Sequence, residues 1–410
     1  MISKVVVLHD YGTIHGGACA VAHASAIGLA RRGISVTMLT AVSPVAPNLS
    51  TIPGLEVICL DQEEIVADPN RVRAFVRGIY NRPAVAAVRR ILRGLDPATT
   101  IVHVHTWTKA LSPFAIRAAI DLGFKVVISL HDFFIACPTG SFFVHSSKEL
   151  CLRKPLSLDC ITCHCDRRSY PQKLWRVART AIQNRVLKVP EGVAHFVSVS
   201  KLSLDVMRPY LPDKARITVL RNPTDCQEHG PADVEANAPF VFIGRFSKEK
   251  GVLLFAEAAA KLGIPAVFIG DGEVRAEAEK LYPQGQFTGW VPATEVGDWV
   301  RRARALVFPP LWYETLGLVV VEAASHGVPA IVADRCAATD FVQDGVNGLW
   351  FKHGSVDSLC EKLTAMQKKG RAGALGRRAY DWYWADPWST ERHIEELMDV
   401  YRETLAAPRK

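Results

Sequence analysis

No apolar run among the 410 residues reaches the roughly 18 positions that a membrane-spanning helix needs. The start, Met1-Ile2-Ser3-Lys4-Val5-Val6-Val7-Leu8, lacks the longer apolar stretch and cleavage site of a secretory leader and reads as a first strand. The expected compartment is therefore the cytosol, with a peripheral seat on the inner face of the membrane as a companion reading. No nucleic-acid recognition motif is present, so the net charge of +8 is not assigned to DNA or RNA. Acid is missing from one segment. Arg71, Arg73, Arg77, Arg82, Arg89, Arg90 and Arg93 follow one another with no Asp or Glu between them. Val72, Phe75, Val76 and Ile79, then Val85, Val88, Ile91 and Leu92, interleave at helical spacing, and Pro83 divides two helices. One reading is a solvated basic face over a core-facing stripe. The other is a surface for anionic lipid headgroups or an anionic acceptor.

The length suits two domains, and a hydrophobic content of 49% lets each bury a core. Residues 4–8 form a β-branched strand that runs into His9-Asp10-Tyr11-Gly12-Thr13-Ile14-His15-Gly16-Gly17, with a helix from 18 to 31 and a second strand at 34–40. Such a βαβ opening implies a parallel sheet. The pair Gly16-Gly17 lets backbone amides approach a ligand at a helix start. Strands at 57–60, 101–105, 126–130, 195–199 and 217–220 continue the rhythm. His103 and His105 alternate onto one face. His131 stands at the end of a strand, where parallel sheets bind ligands, and is a catalytic or binding candidate; the alternative is a hydrogen-bonded structural histidine. Residues 223–239, rich in proline and polar groups, read as a linker. The domains are thus 1–222, with an insertion at 137–165, and 240–385, with residues 386–410 as a terminal helix.

Ten cysteines are present, and five fall in 137–165. Cys160-x2-Cys163 has the spacing at which one turn offers two thiolates to a metal, and Cys137 and Cys151 complete four. Four sulfur ligands suit structural zinc or an iron–sulfur cluster. Cys165 is left as a spare.

The second half carries the sharpest pattern. A strand at 240–243 stops at Gly244-Arg245-Phe246-Ser247-Lys248-Glu249-Lys250-Gly251. Strands at 266–269 and 305–308 lead to Gly270-Asp271-Gly272 and to Trp312-Tyr313-Glu314-Thr315-Leu316-Gly317-Leu318. Arg245 can grip a diphosphate through two oxygens, and Lys250 adds a mobile point charge. Two cations would neutralise a departing diphosphate without a bound metal. The amides of Leu316, Gly317 and Leu318 open a helix and add dipolar stabilisation. Glu314 suits sugar hydroxyls and Glu322 a ribose; a carboxylate in so apolar a helix calls for a polar ligand. Lys248 and Glu249 read as ordinary surface charge.

Gly244 through Gly251, Gly270-Asp271-Gly272, and Glu314-x7-Glu322 followed by Ala323-x3-Gly327-x-Pro329 resemble the family-4 group of retaining glycosyltransferases, with the cysteine insertion confined to a subset. The resemblance implies an α/β fold of the GT-B type, two Rossmann-like domains with parallel sheets facing across a cleft, and a C-terminal helix crossing back to the first. It also implies a UDP- or GDP-linked sugar donor and a glycan or lipid-linked acceptor in cell-surface polysaccharide synthesis. Carried over, Arg245 and Lys250 bind the donor diphosphate, Glu314 the sugar and Glu322 the ribose. Gly17 lies near the phosphates, His131 near the transferred sugar, and Trp290 and Val291 at the base. Gly244, Gly272, Leu316, Gly317 and Leu318 line the donor. Leu316 departs from the family, which often has phenylalanine there. No side chain stands out as a covalent nucleophile. The runner-up readings are a nucleotide-sugar 2-epimerase on the same plan and a non-catalytic, membrane-docked metal protein.

Overall fold

A computed structural model describes residues 2–408 of the chain, which fall into two compact units. The first comprises residues up to 141, 153–223 and the C-terminal segment from 389; the second comprises 142–152 and 224–388.

The first unit alternates strand and helix: β1 (Lys4–Tyr11), α1 (Gly17–Arg31), β2 (Ser35–Val42), β3 (Leu55–Gln62), α2 (Arg71–Ile79), α3 (Arg82–Leu92), β4 (Thr100–Val104), α4 (Pro113–Asp121) and β5 (Lys125–Leu130). The chain then lends a two-stranded hairpin, β6 (Phe143–Val144) and β7 (Glu149–Leu150), to the second unit. It returns through α5 (Leu158–Thr162), α6 (Tyr170–Ala181), α7 (Val189–Gly192), β8 (His195–Ser198), α8 (Lys201–Met207) and β9 (Ile217–Val219). The strands form one parallel sheet in the order β3-β2-β1-β4-β5-β8-β9. β1 is buried from Val5 to Asp10, as a strand covered on both faces must be.

The second unit continues with β10 (Phe240–Ile243), α9 (Val252–Leu262), β11 (Ala266–Ile269), α10 (Arg275–Leu281), β12 (Gln286–Gly289), α11 (Ala293–Arg301) and β13 (Ala305–Phe308). α12 (Leu318–Ser325), β14 (Ala330–Ala333), β15 (Gly348–Phe351), α13 (Val356–Met366) and α14 (Arg371–Ala385) complete it. Its strands are parallel in the order β12-β11-β10-β13-β14-β15. Each sheet reverses its winding once, between β1 and β4 and between β10 and β13. Loops at the carboxyl ends of the strands on either side of such a reversal diverge and leave a crevice. The two motifs singled out in the second half, after β10 and after β13, are the loops at that point.

The last helix, α15 (Thr390–Ala406), belongs to the first unit. Ile394, Leu397, Val400 and Tyr401 pack into the cluster formed by Val5, Val7, Ala26, Leu29, Val36 and Ile101. One expectation is reversed in the arginine-rich segment. α3 buries Val85, Val88 and Leu92, but α2 buries only Ala74 and Gly78 and turns Val72, Phe75 and Val76 to water.

Leu397→Ala empties a fully buried position of this helix. It should lower the unfolding free energy of the first unit by about 2–5 kcal/mol, measured by denaturant titration. A change within error would mean that α15 is not a structural part of that core.

Candidate functional site

Gly251 closes the loop after β10 in a left-handed conformation (φ 73°), and a Cβ there would lie 1.8 Å from the carbonyl oxygen of Pro309. Only glycine lets the two loops approach so closely. The approach brings Lys250 and Glu314 together: the ammonium donates to Oε2 of the carboxylate. Nε1 of Trp312 donates to the same oxygen at 3.0 Å, and the lysine Nζ lies 5.3 Å from the centre of the indole. Glu314 is buried. A cation and an acid, 64 positions apart in sequence, thus share one place at the sheet's reversal.

Arg245 pairs with Glu249 at 3.2 Å and keeps half of its side chain exposed. Glu249 is buried, contrary to the expectation of surface charge. Burial alone would raise its carboxyl; hydrogen bonding at its own amide and the Arg245 charge bring it below the ordinary value. The residue points inward because a short 3-10 turn, Lys248–Lys250, carries it there. Its position four residues after Arg245 was the available signal.

Gly317 caps α12 with φ 86°, and a Cβ there would meet the Phe308 ring at 2.8 Å. Leu316 is buried just before it, and Leu318 begins the helix. Glu322 lies on α12, and among the described residues nothing hydrogen-bonds or pairs with its carboxylate; desolvation raises its pKa. It borders a cavity of about 520 Å³ with Thr224, Asp298, Arg301 and His326. No hydrogen bond joins it to the Lys250 group. Gly244 and Gly272 sit in the loops after β10 and β11, and the Phe246 amide donates to the Asp271 carbonyl between those loops at 2.8 Å. Trp290, after β12, is 67% exposed, with Val291 beside it partly buried.

In the first unit, Gly16 and Gly17 stand at the start of α1. His131 follows β5, its Nε2 2.9 Å from Nδ1 of His105. Burial, then the nearby His393, brings the His131 pKa down to about 3, so the ring is neutral. His103 is held between Tyr401 and Ser129 and is structural. Two acids escaped the sequence reading. Asp10 accepts the amides of Lys109, Ala110 and Leu111 and so fixes the loop after β4. Asp132, raised to about 6 by burial, accepts the amide of Phe134. An acid at the end of a buried strand was the signal in each case.

The four-thiolate site expected of Cys137, Cys151, Cys160 and Cys163 is not formed. Among the described residues no group of three or more His, Cys, Asp or Glu is disposed to hold a metal ion. Cys151 clusters with the second unit and the other three with the first. Buried Lys173 places its Nζ 3.0 Å from Sγ of Cys165 and 3.6 Å from Sγ of Cys160, and donates to the Cys160 carbonyl at 3.0 Å. An ammonium among the thiols puts a positive charge where a metal ion would have to sit. These residues therefore do not fit zinc or an iron–sulfur cluster, and the spare Cys165 is the thiol nearest the charge. No helix among the described residues is long and apolar enough to cross a membrane.

Two family models match. The one described as Glycosyltransferase Family 4 covers residues 15–228, and Glycosyl transferases group 1 covers 232–382. Sulfoquinovosyl transferase SQD2 of Arabidopsis thaliana is 32% identical over 162 residues, 36% of this chain and 32% of that protein. The chain's matches span less than half the length of the first curated relatives. Sucrose-phosphate synthase of Thermosynechococcus elongatus superposes with a TM-score of 0.73 over 99% of this chain and 100% of that one, at 16% identity. HepE of Anabaena, in complex with UDP and glucose, gives 0.65 over 98% and 100%, also at 16%. These likenesses show the GT-B fold.

The buried imidazoles set a pH dependence. His9 is fully buried, with its pKa lowered from 6.5 to about 3, chiefly by desolvation; His103, His105 and His131 are lowered too. The unfolded chain binds these protons first, so stability is present above pH 6.5 and is lost as pH falls toward 3. At about pH 5, His9 alone contributes a loss of about 2 kcal/mol. Asp132, shifted upward, acts in the opposite sense between about pH 4 and 6 but is outnumbered. Melting temperature should fall between about pH 7.5 and pH 5, less steeply in His9→Asn; a flat profile would contradict the burial of neutral rings.

Proposed function

The chain belongs to glycosyltransferase family 4, and from that premise we propose that it transfers a hexose-type sugar from a UDP- or GDP-linked donor to a glycan or lipid-linked acceptor. The product would serve cell-surface polysaccharide synthesis, with transfer at the membrane's inner face. The observation that carries the reading is the contact of Lys250 with Glu314 across the two loops at the reversal of the second sheet.

In this reading Lys250 and Arg245 hold the diphosphate, and the start of α12 adds its dipole. Glu314, oriented by its contact with Lys250, accepts hydrogen bonds from the sugar hydroxyls. Glu322, whose carboxylate has no partner among the described residues, accepts them from the ribose, and Trp290 and Val291 flank the base. The bond from the anomeric carbon to the diphosphate oxygen breaks, and its electron pair leaves with the diphosphate, whose charge the two cations balance. The acceptor hydroxyl bonds to the same face of the anomeric carbon and gives its proton to a departing phosphate oxygen. Configuration is thus retained, and no metal ion enters the step. His131, Gly16 and Gly17 keep the roles that the family resemblance gives them. The UDP and glucose of the HepE complex support a UDP-hexose as the first donor to try.

Turnover of UDP- and GDP-hexoses tests the proposal. Arg245→Ala and Lys250→Ala should each lower kcat/KM about a hundredfold or more, with less effect from Lys248→Ala. Equal turnover in all three and wild type would overturn it. NMR of the product should show the donor's anomeric configuration; the opposite configuration would overturn retention.

A further inference from the structure

Helix α2 is built inside out. Its buried residues are Ala74 and Gly78, while Val72, Phe75 and Val76 are 75%, 50% and 54% exposed. These three lie at i, i+3 and i+4 and so share one face. The small residues are required where they are: a Cβ on Gly78 would lie 2.4 Å from the Trp175 ring. Nε1 of Trp175 donates to the Phe75 carbonyl at 3.2 Å and fixes α2 against α6. The fold therefore holds the large apolar side chains outward.

The surroundings are cationic. Asp68 holds Arg73 and Arg77, and among the described residues Arg71 donates only to backbone carbonyls. On α3, Arg89 and Arg90 are exposed, as are Arg82 at its start and Arg93 just beyond it; none has an ion pair among the described residues. Between α2 and α6 opens a largely apolar pocket of about 280 Å³, lined by Ile65, Val66, Ala74, Phe75 and Trp175 together with Arg71, Arg168 and Arg176.

An exposed apolar stripe on α2, followed at once in the chain by a helix of uncompensated arginines, matches the boundary between headgroups and acyl chains, where apolar side chains are buried and cations meet phosphate. We propose that α2 and the pocket behind it seat the first unit on an anionic phospholipid bilayer. Val72, Phe75 and Val76 enter the acyl boundary, the α3 arginines meet the headgroups, and the pocket takes the hydrocarbon of one anionic lipid. This deepens the lipid-linked acceptor reading above and rests on it for its purpose, but its test does not depend on turnover.

The full chain is floated with phosphatidylcholine vesicles and with vesicles that also contain phosphatidylglycerol. Wild type should float with the second and not the first, and lose binding as salt rises. Val72→Ser, Phe75→Ser and Val76→Ser combined should weaken binding roughly tenfold or more, with an unchanged melting temperature because the three are exposed. Arg82→Gln, Arg89→Gln and Arg90→Gln combined should abolish the preference for anionic vesicles. No flotation of wild type, or equal flotation of the serine variant, overturns the proposal. Donor turnover is measured on the same samples. Flotation as expected without turnover supports the seat and counts against the transfer reaction alone.

Discussion

The second unit depends on a close approach of two loops that a parallel sheet would otherwise splay apart. Gly251 permits it, because any side chain there would strike the Pro309 carbonyl. The consequence is electrostatic. Lys250 from one loop and Glu314 from the other neutralise each other, and Trp312 donates to the same carboxylate oxygen. A pair of this kind contributes little net stability once desolvation is counted. What it supplies is position: a charged donor group and a charged acceptor group, both oriented before any ligand arrives.

Glu249 extends that arrangement. A buried acid beneath Arg245 costs free energy unless it is paired, so the arginine is drawn to it and its guanidinium is held near the loop. Glu322 is the contrast. Among the described residues its carboxylate is desolvated without a partner. In the proposed reaction that acid meets the ribose hydroxyls.

Much of this was legible in the residues. The strand at 240–243, its glycine-bounded loop and the helix that follows all carry strong local signals, so the strand-loop-helix order, and with it the loops on which Arg245, Lys250 and Glu314 lie, could be read from spacing. Glu249 was signalled only by its spacing from Arg245, because a short turn reverses its orientation and Lys-Glu-Lys reads as solvent-facing. The pattern of α2 misled for a related reason. Periodicity reports that one face is apolar but not which way that face points, and here Gly78 and Trp175 decide. The cysteines misled because spacing counts thiols and not what lies between them, which is Lys173. Asp10 looked unremarkable in sequence, yet it organises the loop after β4 through three amides contributed a hundred positions away.

The first unit buries neutral imidazoles, and the second orients a set of charges. In the proposed reaction the loop lysine of the second unit is held ready for a diphosphate. Calorimetric titration of UDP into wild type and Lys250→Met tests it most directly. The account predicts affinity weakened about thirtyfold or more, about 2 kcal/mol, in the variant. Equal affinity for UDP in the two proteins would contradict it.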